Sequence, residues 1–262
     1  MREYTADQIP YLRFTSIPAN GRVRHAVFTR RGGVSQVPFD TLNLSLSVPD
    51  TEENVSANRA RAYGSHGRGI RSLAQAHLTH GAGVAMVGHA HHGQYVGPVD
   101  GLITDEPGCG LAMNYADCAP IFLYDPRKKA IGLGHAGWKG AISDLPGAMV
   151  KAMANAFGSR PTDLLAAIGP TIGPCCYEVG KPVISAVNET FAEADQLLRS
   201  IDGKNDKRFF DLPAANADRL EAAGVQHIEP SGLCTACRTD LFFSHRAENG
   251  RTGRFGVIFT LE

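Results

Sequence analysis

Between Gly110 and Ala136 the chain runs three apolar segments almost back to back: GLAMNYA, APIFLY and KAIGLGHA. Asp125-Pro126 lies between the last two, and this pair is a turn signal. Short apolar runs bounded by turn residues read as strands, so the last two predict an antiparallel hairpin. Strands this close in sequence leave no room for a crossover helix between them. After Trp138 the period changes. In SDLPGAMVKAMANAFG the residues Leu145, Ala148, Met149, Ala152, Met153 and Ala156 recur at helical spacing, with Ser143 as the expected N-cap and Gly158 as the stop.

Elsewhere HAVFT reads as a strand turned by Gly32-Gly33, and GVAMVGHA, GLITDE and DLLAAIG as further short strands. Asp50 with Glu53 predicts a capping box opening a helix through ENVSANRARAYG. KPVISAVNETFAEADQLL predicts one long helix, and LPAANADRLEAAG another, capped by Asp211 and closed by Gly224. RFGVIFTLE is a strand that arrives late enough to join a sheet begun far upstream. Strands and helices do not alternate strictly, which predicts α+β rather than a doubly wound fold. Residues 1–262 contain no linker or internal repeat, and the expectation is a single domain. Gly81-x-Gly83 and Gly108-x-Gly110 lack the third glycine of a dinucleotide fingerprint.

Charge narrows the partners. Twenty-six basic residues balance 26 acidic ones, which disfavours a nucleic-acid backbone as ligand. Apolar runs fall short of the ~18 residues that would span a bilayer, and the first residues lack a signal-peptide core, so a cytoplasmic protein is expected. Its oligomeric state is expected to be a monomer or a small homo-oligomer. With six cysteines in a long chain, free thiols, metal ligands or a nucleophile are better readings than a disulfide framework.

A hairpin turned at Asp125-Pro126 brings Cys118 and His135 to the same open end. Such a pair has three readings: core packing, a nucleophile with its base, or two ligands of a metal. His77 and His80, just before AGVAMV, offer a third ligand. One thiolate and two imidazoles suit Zn²⁺ with its fourth position free, and would accept copper as well. Cys234-x-x-Cys237 alone is a weak metal or redox signal, more simply two semi-buried thiols near a turn. Cys175 and Cys176, as neighbours in extended backbone, should face apart, one lining a pocket and one in the core. His89, His91 and His92 lie in a glycine-bounded loop and read as solvated. His89-Ala-His91 is the only H-x-H pair, so a multicopper oxidase centre is not supported.

Six motifs, FTRRGGVS…TLNLSLSV, HG before a strand, ADCAPIFLYDP, GHAGWKG, IGPCCYEVG and CTACRTDLFFSHRAENGRTGRFG, occur in order over about residues 23–261. Together they resemble the YfiH-type family, long labelled polyphenol oxidoreductase laccases and now regarded as zinc-dependent purine nucleoside phosphorylases. The resemblance implies an α/β/β/α domain in which two mixed sheets pack together with helices outside. It implies a zinc held by His80, Cys118 and His135, with His77 as the competing alignment. It also implies phosphorolysis of adenosine, inosine, guanosine or methylthioadenosine, and deamination of adenosine. Arg31, Asn43 and Arg254 in the matching motifs, and Arg59 within the span they cover, are candidates for binding phosphate and ribose. The chain departs from the family at Leu78-Thr79, where Gln-Val is usual, at Lys139 for arginine and at Thr239 for proline. Three alternatives remain: a cysteine hydrolase or deamidase using Cys118 and His135, a copper-binding polyphenol oxidase of the laccase type as the family was formerly labelled, and a non-catalytic zinc-stabilised binding protein.

Overall fold

The computed structural model describes residues 1–18, 21–200 and 207–262. The chain opens with a hairpin, β1 (Arg2–Ala6) and β2 (Ile9–Arg13), followed by β3 (Val23–Phe28). Helix α1 (Glu52–Gly64) precedes four short strands, β4 (Leu73–Ala76), β5 (Val84–Met86), β6 (Tyr95–Val96) and β7 (Gly101–Thr104). The three apolar segments are β8 (Gly110–Tyr115), β9 (Ala119–Asp125) and β10 (Ala130–Ala136). Helices α2 (Trp138–Ile142) and α3 (Leu145–Phe157), strands β11 (Leu165–Ile168) and β12 (Glu178–Val179), and helices α4 (Lys181–Thr190) and α5 (Ala194–Leu197) come next. Strands β13 (Leu198–Arg199) and β14 (Arg208–Phe210), helix α6 (Leu212–Ala222), and strands β15 (His227–Pro230) and β16 (Phe255–Leu261) complete the order.

Two mixed sheets form the centre. One has the order β1-β2-β3-β16-β8-β4-β6, the other β15-β11-β9-β10-β7-β5, and β12-β14-β13 make a small third sheet. The late strand β16 does join a sheet begun upstream, pairing antiparallel with both β3 and β8. Val27, Leu111, Val257 and Phe259 from the first sheet share one core with Phe122, Tyr124, Ile131 and Leu133 from the second. On the far side of the second sheet, Ile121 and Leu123 pack with Leu145, Met149 and Met153 of α3 and with Leu220 of α6. Beyond the first sheet, Phe28 and Ile258 pack with Ala62 and Tyr63 of α1. This layering is the expected α+β arrangement. It explains why every residue of β9 and β10 is buried: a strand covered on both faces reads as a continuous apolar run. Each fully buried phenylalanine contributes about 1.5–3 kcal/mol by leaving water.

Several local expectations shift. The N-cap of α1 is Thr51, whose Oγ1 accepts the Asn54 N–H at 3.1 Å, so the capping box on Asp50 is not formed. Asp50 instead accepts from Ser35 Oγ (2.6 Å), Asn43 Nδ2 (2.9 Å) and the Thr51 N–H (2.8 Å). Asp144, not Ser143, caps α3 by accepting the Gly147 N–H at 3.0 Å, because Ser143 is taken up closing α2 through Lys139 O at 2.6 Å. The long helix expected over 181–198 breaks at Phe191, which adopts extended backbone. Turning there buries Phe191 under the Arg219 guanidinium, 4.3 Å from the ring centroid, and brings Leu197 and Leu198 into the same cluster.

Candidate active site

The site begins with strand register. Across the β9–β10 hairpin His135 faces Pro120 and Ala136 faces Ala119, so one step further Cys118 lies against Gly137. The hairpin therefore brings the thiol and the imidazole to one end, offset by two residues. Glycine is required here, since a Cβ at Gly137 would sit 2.7 Å from Cys118 Sγ. Gly134, earlier in the same segment, lets α3 close onto the sheet: a Cβ there would meet Met149 Sδ at 2.4 Å.

His80 comes from the loop after β4. Its φ of 60° is left-handed, a conformation that a non-glycine residue keeps only when its surroundings hold it. Asp100, fully buried just before β7, does the holding. Its carboxylate accepts the N–H groups of Thr79 (3.1 Å), His80 (2.8 Å) and Gly81 (2.8 Å) and the Thr79 hydroxyl (2.7 Å). The Asp100 carbonyl accepts the His135 N–H at 2.8 Å, so one residue orders both histidines. Tyr115 stacks on the His135 ring, with centroids 5.1 Å apart, and donates its hydroxyl to Gly134 O at 2.9 Å.

The ligand atoms of His80, Cys118 and His135 all lie within 4.8 Å of one another. That is the scale on which one ion with bonds of about 2.0–2.3 Å links three ligands. His135 Nδ1 is buried without a hydrogen-bond partner among the described residues. A buried nitrogen left unpaired is costly, and a cation would satisfy it. Burial, and next the Asp117 charge, push the Cys118 thiol up to about 12. Burial, and next His80, push the His135 imidazole down to about 4. Without a cation the pair therefore rests as neutral thiol and neutral imidazole, the reverse of an activated thiolate–imidazolium couple. The donor set and the orphaned nitrogen fit a borderline metal ion such as zinc.

Asp117, also left-handed at φ 84°, ties this centre to the opposite wall. Its carboxylate accepts from Thr235 Oγ1 (2.7 Å), Ser244 Oγ (2.7 Å) and the Arg246 N–H (2.7 Å). Its carbonyl accepts the Ile172 N–H at 3.0 Å and the Thr171 hydroxyl at 2.6 Å. Above the three donors opens a cavity of about 930 Å³, lined by His77, Asn114, Trp138, Lys139, Tyr177, His245, Arg246 and Arg254 among others.

Of the candidate substrate residues, the structure brings only Arg254 to this cavity, half-buried and anchored on Thr252 O and Gly253 O at 3.1 and 2.8 Å. Arg31 lies on the surface, paired with Asp240 Oδ2 at 3.2 Å. Asn43 is buried and pins a turn, accepting the Arg254 N–H at 3.0 Å and donating to Asp50. Arg59 stands behind the wall, bonded to Leu44 O (2.9 Å) and Tyr95 OH (3.0 Å). His77 lines the cavity beside Tyr95 but is not among the three clustered donors. His89 pairs with Glu106 at 2.7 Å and, with His91 and His92, joins no donor group among the described residues.

The cysteines overturn two expectations. Cys175 and Cys176 do not face apart as neighbours in a strand would. Residues 174–176 form a turn in which the Cys176 and Tyr177 N–H groups both donate to Gly173 O. Cys175 is exposed and Cys176 half-buried, and neither lines the cavity. Both thiols reach Cys237 Sγ at 3.4 Å, and Cys234 completes a group of four.

Sequence reasoning did not single out Asp100, Asn114, Asp117, Tyr177, His245 or Arg246. The quoted motifs ADCAPIFLYDP and CTACRTDLFFSHRAENGRTGRFG contain Asp117, His245 and Arg246 and were the available signal for these three. The role of Asp100 is purely tertiary.

With this geometry in view, similarity to known proteins is informative. The family described as multi-copper polyphenol oxidoreductase laccase matches residues 24–262. The chain belongs to this family. It is 37% identical over 235 residues to purine nucleoside phosphorylase YlmD of Bacillus subtilis, covering 86% of this chain and 84% of the relative. It is 36% identical over 257 residues to a purine nucleoside phosphorylase of Deinococcus radiodurans, covering 98% and 95%. The solved structure of YlmD from Geobacillus stearothermophilus superposes with a TM-score of 0.91 at 33% identity over 100% of this chain and 98% of that one. Protein YfiH of Bacillus licheniformis gives 0.88 at 32% identity, covering 97% and 96%. The donor groups among the described residues are three ligands, two imidazoles and a thiol, in one cluster and four thiols in the other. No helix among those residues is long and apolar enough to cross a membrane.

Proposed function

We propose that this family member is a zinc-dependent purine nucleoside phosphorylase acting on adenosine, inosine, guanosine or methylthioadenosine. The observation that carries the reading is the His80–Cys118–His135 cluster at the floor of a nucleoside-sized cavity whose wall carries Lys139, Arg246 and Arg254. The names of the relatives supply the reaction class.

In phosphorolysis the C1′–N9 bond breaks with its electron pair going to the base, and a phosphate oxygen bonds to C1′. Positive charge develops on the ribose as the base leaves, as at other glycosidic centres. His80, Cys118 and His135 would hold the zinc. When bound, that ion would supply Lewis acidity toward a substrate oxygen. Arg254, a half-buried residue lining the cavity, would hold phosphate, since charge-assisted hydrogen bonds are strong in such a setting. Lys139, with its Nζ 5.8 Å from the Trp138 ring centroid, and Arg246, 5.1 Å from that of Tyr177, add cations at the rim. Trp138 and Tyr177 offer aromatic faces against which a purine stacks. Asn114 Oδ1, buried and without a hydrogen-bond partner among the described residues, is an acceptor suited to a donor on ribose or purine.

The cysteine-hydrolase reading is weaker, because a buried neutral thiol beside a neutral imidazole lacks the activation a nucleophile needs. Metal content and turnover measured together separate the two. A Cys118→Ala variant that has lost both zinc and base release supports the metal site, whereas a metal-free active wild type with an adduct on Cys118 supports the nucleophile. Inosine formed from adenosine in the same assay reports deamination at this site.

A further inference from the structure

We propose that Cys175, Cys176, Cys234 and Cys237 form a second metal site, a closed tetrathiolate that holds one zinc-like ion and staples two segments of the cavity wall together. Nothing in the phosphorylase reading uses these residues, and the inference stands whether or not that reaction is the right one.

The four ligand sulfurs lie within 4.8 Å of one another, although the pairs are some sixty residues apart in the chain. Cys175 Sγ and Cys176 Sγ each lie 3.4 Å from Cys237 Sγ. A tetrahedral ion with Zn–S bonds of about 2.3 Å sets its sulfurs about 3.8 Å apart, whereas a disulfide needs about 2.05 Å and would use the thiols only in twos. The observed spacing is near the first value.

The backbone around the thiols is shaped for ligation. Gly173 donates its N–H to Cys234 Sγ at 3.3 Å, the kind of amide contact that favours thiolate over thiol. Two turns present the sulfurs. In one, Cys176 and Tyr177 donate to Gly173 O; in the other, Arg238 donates to Cys234 O at 3.0 Å. A short bridge between Thr171 and Cys234 sets the turns side by side. Binding of a divalent ion by the four sulfurs would release their protons. All four positions are filled by protein, which marks a structural rather than a catalytic zinc.

The staple has a functional consequence. The segment carrying Cys175 and Cys176 continues into Tyr177, which lines the cavity, and Thr171 and Thr235 from the two stapled segments both donate to Asp117, the neighbour of Cys118. Removing the ion should therefore loosen the wall opposite His80.

Two measurements test the site. Elemental analysis of zinc-grown protein should find one ion more per chain in wild type than in Cys234→Ser/Cys237→Ser, and the Cys118→Ala variant should keep the ion held by the four thiols. Equal metal content in wild type and the double variant overturns the proposal. Should the double variant fail to fold, alkylation of native wild type decides: Cys175 and Cys237, though exposed, should react slowly until a chelator is added and rapidly afterwards. Rapid labelling of metal-loaded protein, or a disulfide among the four in reduced-prepared protein, overturns it equally.

Discussion

The Asp100 carboxylate accepts the backbone N–H of His80 at 2.8 Å and so holds His80 in a left-handed conformation facing His135. Two histidines, one from the loop after β4 and one at the end of strand β10, are thereby set in place before any ligand arrives. Preorganisation of this kind, supplied by a residue that is not itself a ligand, is how a metal centre keeps its geometry.

Asp100→Asn replaces one acceptor oxygen by a donor facing three N–H groups and a hydroxyl. The variant should lose about 10–100-fold in metal affinity, together with about 1–3 kcal/mol of stability. Competition with a coloured chelator reads the first quantity and thermal unfolding the second. Unchanged affinity would mean that the 79–81 loop orders itself.

Gly137→Ala tests the close approach of the hairpin end to Cys118. The new Cβ, 2.7 Å from Sγ, must displace the thiol, while φ at this position is ordinary. Metal binding should weaken at least tenfold with the circular dichroism spectrum unaltered. Affinity equal to wild type would show that Cys118 is not a ligand.

The arginines separate by position. Arg254→Ala should raise the KM for phosphate about tenfold or more, as expected for losing a charge-assisted contact worth about 1.5–3 kcal/mol. Arg31→Ala should leave kinetics unchanged and stability within about 0.5 kcal/mol, because an exposed ion pair contributes little. Steady-state kinetics in varied phosphate check both.

Acid should destabilise the fold well before carboxylates protonate. His25 is buried against Phe122 and Phe259 and accepts the Phe14 N–H at Nε2, 2.8 Å away. Burial, reinforced by Arg13, holds it down to about 3. The unfolded chain takes up this proton below about pH 6.5 while the native protein does not, so stability falls with pH between about 6.5 and 3. By pH 5 this one group should have removed on the order of 2 kcal/mol. His66, lowered to about 4 chiefly by burial, acts in the same direction. Glu229 is different. Burial raises it, but hydrogen bonds from Ser16 and Thr15 bring it down to about 2, so its contribution is lost only as pH falls below about 4.5. Urea unfolding at pH 7 and pH 5 should show a smaller drop in His25→Gln than in wild type; equal drops would place the effect elsewhere.

What the sequence disclosed follows from which interactions are local. The β9–β10 hairpin was legible because its strands are continuous apolar runs around an Asp-Pro turn, and the Asp125 carboxylate indeed accepts the Arg127 and Lys128 N–H groups at 2.8 and 2.9 Å. Helices α3 and α6 were legible from period and stop signals. The N-terminal hairpin was not, since REYTA and IPYLR alternate weakly and β1, among the described residues, pairs with β2 alone. The break at Phe191 escaped as well, because the apolar pattern continues through it and only the burial of its ring under Arg219 decides the turn.

Within the site, Cys118 and His135 were legible because hairpin register is counted along the chain. His80 needed the motif resemblance to prevail over His77. Asp100 and Asp117 act through backbone amides of loops distant in sequence, and the four-thiol group unites 175–176 with 234–237 across a short bridge. No spacing rule connects such positions.

The most direct test of the proposed chemistry is product analysis with inosine and zinc-quantified protein, with and without inorganic phosphate. Hypoxanthine and ribose 1-phosphate should form in equal amounts, only with phosphate present, and not with a Cys118→Ala variant. Base release accompanied by free ribose, release that persists without phosphate, or no release at all would contradict phosphorolysis at this centre.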